Sequence, residues 1–286
     1  MKQLAYFLFV IPALLISGCT SSQSGGTGAG LVISTFEPDV AQVYSGEPVK
    51  FFLKIKNLGS FAADGAVRMD LSGWGGDCQT GLPREFSNII APDQETGATG
   101  EEISFTWECD APEVDEGLHV PYEPRSIVTY HYHSLTSQAV TLLPTTELIA
   151  QQDAGNYFQT QVESVSNSPV RIDVIIEGSI RVRRDTNGIE FPVVVKLYNE
   201  GNGIVEGSSI RLDVTGRGGI YEVREEDCHF ENLHLWRDRA QTITCDMQVH
   251  NIEGIRQAWI EADAEYDYTV TGTTNIEVIG QRKAFM

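Results

Sequence analysis

The chain lacks the short motifs of common hydrolytic sites: there is no Gly-x-Ser-x-Gly elbow, no Ser-x-x-Lys and no His-Glu-x-x-His. No catalytic residue is therefore assigned. Basic residues are scarce, 20 Lys and Arg against 40 Asp and Glu, for a formal net charge of −20. A surface this acidic repels phosphate backbones, which excludes nucleic acid as a partner. Its plainest use is solubility. Cysteine is limited to five residues, and no two are spaced as Cys-x-x-Cys. A structural zinc site uses four closely spaced ligands, so no metal or other cofactor is expected. The apolar run at the amino terminus, Leu4 to Leu15, is too short for an ordinary membrane span.

What the chain does have is an internal repeat. Phe51-Phe-Leu-Lys-Ile-Lys-Asn-Leu-Gly59 returns as Pro192-Val-Val-Val-Lys-Leu-Tyr-Asn-Glu-Gly201, with Asn57 and Gly59 matching Asn199 and Gly201 at an offset of 142. Further on, Cys109 matches Cys245, and Tyr130 and Tyr132 match Tyr266 and Tyr268, all at an offset of 136. Within each copy apolar residues alternate with polar ones (Phe51, Leu53, Ile55; Val67, Met69, Leu71; Ile210, Leu212, Val214), the period of strands with one buried face. Asn-x-Gly between them reads as a reversal that exploits the tolerance of Asn and Gly for positive φ. About a hundred residues of short strands and Gly-rich turns per copy predicts an all-β protein of two tandem Ig-like β-sandwiches.

The strand, Asn-x-Gly, strand unit, Leu53 to Leu71 and Val195 to Val214, resembles the CARDB-type and related Ig-like modules of prokaryotic cell-surface proteins. That resemblance covers the front half of each repeat. It implies surface adhesion or display, with no catalytic residues to carry over. The cysteine pair in each copy is a departure from it.

Lys2, the apolar run and Ile16-Ser17-Gly18-Cys19 describe a secretory signal ending in a lipobox, similar to those of bacterial and archaeal lipoproteins. Cys19 is expected to carry lipid and to anchor the mature chain to the membrane. The remaining cysteines fall two per repeat, which predicts disulfides Cys78–Cys109 and Cys228–Cys245 in an oxidising compartment. The expected organisation is a signal peptide over 1–18, a lipidated and flexible Ser/Gly-rich tether over 19–30, a first sandwich over 31–146, a linker over 147–169 and a second sandwich over 170–286.

Candidate sites are few. His131 and His133 share one face of a strand and could hold a metal, but the repeated Tyr130 and Tyr132 mark the other face as the core, which leaves the histidines on the solvent side. Asp185-Thr-Asn-Gly188 carries too few carboxylates for a calcium loop and reads as a hairpin turn, and the acidic run Glu222 to Asp227 reads as a solvated loop. Trp74 in Gly73-Trp-Gly-Gly76 and its counterpart Arg217 in Gly216-Arg-Gly-Gly219 are turn tips inside a kept glycine frame, and are the expected contacts with a cell-envelope protein or glycan. Trp74 folded back on its own sandwich is the alternative. The expected function is a membrane-anchored extracytoplasmic binding or scaffolding lipoprotein, for adhesion or envelope structure. The alternative is an accessory lipoprotein that binds a small ligand or cation for a transporter or enzyme complex.

Overall fold

The structure is a computed structural model that describes residues 28–78, 84–93, 95–155, 163–176, 180–182, 188–207, 209–223, 228–236, 239–250, 252 and 254–281. Among the described residues the regular elements are strands apart from one α-helix. The first repeat runs through β1 (Leu31–Pro38), β2 (Gln42–Tyr44), β3 (Pro48–Asn57), β4 (Ala63–Ser72), β5 (Arg84–Ile89), β6 (Glu102–Asp110), β7 (His119–Tyr122) and β8 (Arg125–Pro144). The segment between repeats holds α1 (Thr145–Asp153) and β9 (Glu163–Val165). The second repeat holds β10 (Val170–Ile175), β11 (Ile180–Val182), β12 (Ile189–Asn199), β13 (Ile204–Val205), β14 (Ile210–Arg217), β15 (Ile220–Glu222), β16 (His229–Leu233), β17 (Gln241–Val249), β18 (Arg256–Thr273) and β19 (Ile276–Ile279).

The two repeats are not beads on a linker. β8 and β18 pair antiparallel from Arg256–Leu142 to Thr273–Arg125 and fuse both copies into one nine-stranded sheet, whose main path is β16-β14-β18-β8-β4-β5. The repeats also exchange strands. β19 of the second copy lies between β2 and β7 of the first, and β11 of the second copy pairs in parallel with the end of β8. Even the expected linker takes part, since β9 pairs with Thr136–Gln138 of β8. Smaller sheets, β1-β3-β6 and β10-β12-β17-β15, belong to the first and second copies respectively. Strict alternation makes this possible: in β3 Val49, Phe51, Leu53 and Ile55 are buried and Lys50, Phe52 and Lys54 exposed, so each strand supplies one apolar face.

The register of β8 on β18 is centred on His131–Asp267, residues that are each other's counterparts in the repeat. A pseudo-twofold axis therefore passes between them. Flanking it, Tyr130 faces Tyr268 and Tyr132 faces Tyr266. These four rings, at most 1% exposed, form a closed set of edge-on contacts with centroids 5.7 to 6.5 Å apart. Such contacts favour the ring quadrupole as well as burying area.

Each hydroxyl in this cluster holds backbone, and the scheme repeats with the sequence. Tyr130 accepts the amide of Leu31 at 3.1 Å and Tyr266 that of Val170 at 3.2 Å, which pins the first strand of each copy. Tyr132 accepts from Phe61 N and donates to Phe61 O. Tyr268 accepts from Gly203 N and donates to Asn199 Oδ1, both at 2.9 Å. Asn57 and Asn199 complete the turns by donating to the carbonyls of Phe61 and Gly203. Burial pushes the Tyr132 hydroxyl up to about 12 and those of Tyr130 and Tyr266 upward too, so all three stay protonated.

The expected reason for Asn-x-Gly is corrected here. Gly59 and Gly201 do not lie in the positive-φ region. They are glycines because a Cβ would stand 2.0 Å from the Tyr132 hydroxyl and 2.3 Å from that of Tyr268. The motif is a seat for a tyrosine.

Candidate functional site

The inner face of the nine-stranded sheet is core, which leaves its outer face and the waist between the repeats as places where chemistry or binding could occur. On the outer face β18 presents Trp259, Glu261, Asp263, Glu265 and Asp267, the odd-numbered residues opposite buried Ala258, Ile260, Ala262, Ala264 and Tyr266. Beside them stand Arg211, Asp213, Thr215 and Arg217 of β14 and His131 and His133 of β8. Because the pleat alternates, the same register that buries the tyrosines puts the histidines outside.

His131 Nδ1 lies 3.0 Å from Asp267 Oδ1, directly on the pseudo-axis, and His133 Nδ1 lies 3.7 Å from Asp263 Oδ1 while its ring packs against Phe61. Each histidine thus has a carboxylate neighbour. Among the described residues no three His, Cys, Asp or Glu side chains converge to hold a metal ion. Burial raises the Asp263 carboxyl above its usual value, opposed by His133. At the outer edge His229 pairs with Asp213 and reaches Glu231 at 3.4 Å, and hydrogen bonding to Asp213 raises its pKa.

The two proposed turn tips part company. Trp74 is 2% exposed, donates Nε1–H to the carbonyl of Asp110 at 3.0 Å, and packs edge-on against Phe51 and Tyr122. Gly73 and Gly75 on either side both take positive φ, which forms the tight turn that carries the ring. Trp74 is therefore a core residue and is withdrawn as a partner contact. Arg217 remains 68% exposed at the end of β14, 2.7 Å from Glu261. Its cross-strand neighbour is Trp259, 41% exposed. Sequence reasoning missed Trp259, although a signal was there: it is the one aromatic ring in the acidic phase of β18.

The cysteines pair within each repeat, Cys78 with Cys109 and Cys228 with Cys245. Phe105, Trp107 and Cys109 share the buried face of β6. Cys19 and the signal peptide lie outside the described residues, as do Asp185 to Asn187 and most of the acidic run, of which Glu222 accepts a hydrogen bond from Gly216 N. No helix among the described residues is long and apolar enough to cross a membrane.

At the waist a cleft of about 430 Å³ opens between the copies, lined by Gly28 to Ile33, Leu58, Tyr130, Pro169, Glu200 to Asn202, Tyr268, Val270 and Thr271. Its walls come from the entry of the first repeat and the Asn-x-Gly turn of the second. Asn167 closes one side: its Oδ1 accepts from Gly28 N and Ala29 N, its Nδ2 donates to Leu58 O, and its backbone bonds Ser60. Glu200 reaches Arg171 at 3.4 Å. The tyrosine hydroxyls beside the cleft are already hydrogen-bonded to the turns and strands they pin.

No protein-family model matches this sequence, and no curated protein matches it. The site must be read from its own geometry.

Proposed function

We propose that the protein is a membrane-anchored, extracytoplasmic binding and scaffolding lipoprotein, held by lipid on Cys19 and presenting a sheet face to an envelope protein or glycan. The observation that carries this reading is the outer face of the nine-stranded sheet, one polar surface shared by both repeats with Trp259 exposed beside the Arg217–Glu261 pair. A Trp ring stacks on a sugar or fills a protein pocket, and an Arg fork pairs with carboxylates on either. The likeness to CARDB-type surface modules points the same way, and the two disulfides suit an oxidising compartment outside the cytoplasm.

The test is recovery of partners from native envelope extract by the lipid-free chain and by a Trp259→Ala, Arg217→Ala double variant. Partner recovery should fall with the variant. Equal recovery would remove this end of the sheet from the account. The anchor is tested separately: intact mass should show loss of residues 1–18 and a lipid adduct on Cys19, and Cys19→Ser should release the protein from membranes. An unmodified chain retained in the membrane would refute the anchor.

A second reading, accessory binding of a small ligand, is favoured by the waist cleft, whose volume lies in the range of ligand pockets. Native mass spectrometry of protein purified from its host should then show a bound small molecule that a Leu58→Trp variant loses.

A further inference from the structure

The geometry points to a membrane-facing side of the molecule: we propose that the waist faces the bilayer and that the outer face of the nine-stranded sheet is turned away from it. The proposal rests on the reading of Cys19 as the lipidated residue. It concerns a different matter, where on the body the anchor attaches.

An amino-terminal anchor on tandem domains would ordinarily attach at one end, with the second domain further from the membrane than the first. Here the chain enters at the middle. Gly28 and Ala29 donate to Asn167 Oδ1 at 3.3 and 3.2 Å, and Leu31 donates to Tyr130. The entry is wedged between both copies: a Cβ on Gly28 would stand 2.7 Å from the backbone of Glu200, and one on Gly30 would meet both Tyr130 and Pro169. Side matters as well as position. Tyr130, which receives the entry, points to the inner side of the sheet, and His131, the next residue, points to the outer side. The anchor and the outer face are therefore on opposite sides of the same sheet.

Distances then set the arrangement. Nine residue steps separate Cys19 from Gly28, a reach of at most about 30 Å even fully extended. The first copy extends from the waist along β3 toward Pro48 and the second along β12 toward Ile189, each for about 30 Å. They run in opposite directions, because Arg125 and Arg256 mark opposite ends of the β8–β18 ladder. A waist anchor therefore leaves both ends at similar heights and presents the outer face, with Trp259 and Arg217, outward. Electrostatics does not compete, since a net charge of −20 gives no general attraction to an anionic leaflet.

The experiment is energy transfer from the anchored mature chain to phosphatidylcholine vesicles carrying a rhodamine-labelled lipid. A donor dye is placed through an unnatural amino acid at Asn202 by the waist, at Leu118 near the far end of the first copy, at Glu190 near that of the second, or at Glu265 on the outer face. Anchoring is done in two arms: the natively processed protein, and recombinant mature chain coupled at Cys19 to a maleimide lipid. Transfer should be equal from positions 118 and 190, because their ~30 Å offset from the waist runs along the membrane plane, and it should be weaker from 265 than from 202, because the outer face is turned away from the bilayer. A steady gradient from 118 through 202 to 190, or transfer from 265 as strong as that from 202, would overturn the proposal. If the native arm fails to bind vesicles while the coupled arm shows the expected pattern, the lipid reading has failed and the waist geometry stands.

Discussion

The seat that Gly201 provides for Tyr268 allows a sharp test by double-mutant cycle. In Gly201→Ala the new methyl would lie 2.3 Å from the Tyr268 hydroxyl, 3.0 Å from Cζ of its ring and 3.0 Å from Pro169 Cβ. Relieving such a contact moves the ring, at about 1–3 kcal/mol for overpacking. It also loosens the hydrogen bonds to Gly203 N and Asn199 Oδ1, at roughly 1 kcal/mol each. Restriction of the unfolded chain returns about 0.4–1 kcal/mol. The net expectation is a loss of about 2–4 kcal/mol. Tyr268→Phe removes the same hydroxyl directly and should cost about 1–3 kcal/mol, because a buried backbone donor loses its acceptor. In the double variant the methyl moves into space the hydroxyl vacates, so the combined loss should fall short of the sum by about 1–2 kcal/mol. Urea midpoints of the four proteins, with unchanged slopes, measure the cycle. Additivity within about 0.5 kcal/mol would refute the seat, as would a Gly201→Ala cost near zero.

Three further outcomes are expected. Because strand exchange ties the copies together, amides in β3 and β12 should exchange through one common unfolding event, and Tyr132→Phe in the first copy should speed exchange in both; two separate events would contradict the interlock. Removing either disulfide should cost about 3–4 kcal/mol for loops of 31 and 17 residues in the chain-entropy model, read from thermal melts of Cys109→Ala, Cys78→Ala and Cys228→Ala, Cys245→Ala variants. Hydrogen bonding to Asp213 raises the His229 pKa above its ordinary 6.5, so that pair contributes stability in full below that value and loses it as pH climbs through the folded pKa. The urea midpoint of the parent should therefore exceed that of His229→Gln at mildly acidic pH and converge with it at alkaline pH, and a difference independent of pH would count against the pairing.

Much of the fold is legible in the residues themselves. Alternation in Phe51, Leu53 and Ile55 or in Ile210, Leu212 and Val214 gives strand identity and the buried face, because side-chain direction in a strand depends only on parity. The same parity places Tyr130 and Tyr132 inside and His131 and His133 outside. Even cysteine count per copy is enough for the disulfide pairing, since each copy holds two. What parity cannot report is which strand lies beside which. Nothing local in β8 or β18 says that they pair with each other across the repeats rather than each closing its own sandwich, and nothing in Ile276 to Ile279 says that it belongs to the first copy. Those choices depend on burying apolar faces left open by strands more than a hundred residues away. The glycine frame around Trp74 shows the same limit: positive φ at Gly73 and Gly75 is available to a turn pointing either way, and only the proximity of Phe51, Tyr122 and the Asp110 carbonyl turns the ring inward. Sequence alone thus determines the repeat, the faces and the staples. The tertiary structure decides the waist, the single outer sheet face and the exposure of Trp259, because each is a property of neighbours that the chain brings together only by folding.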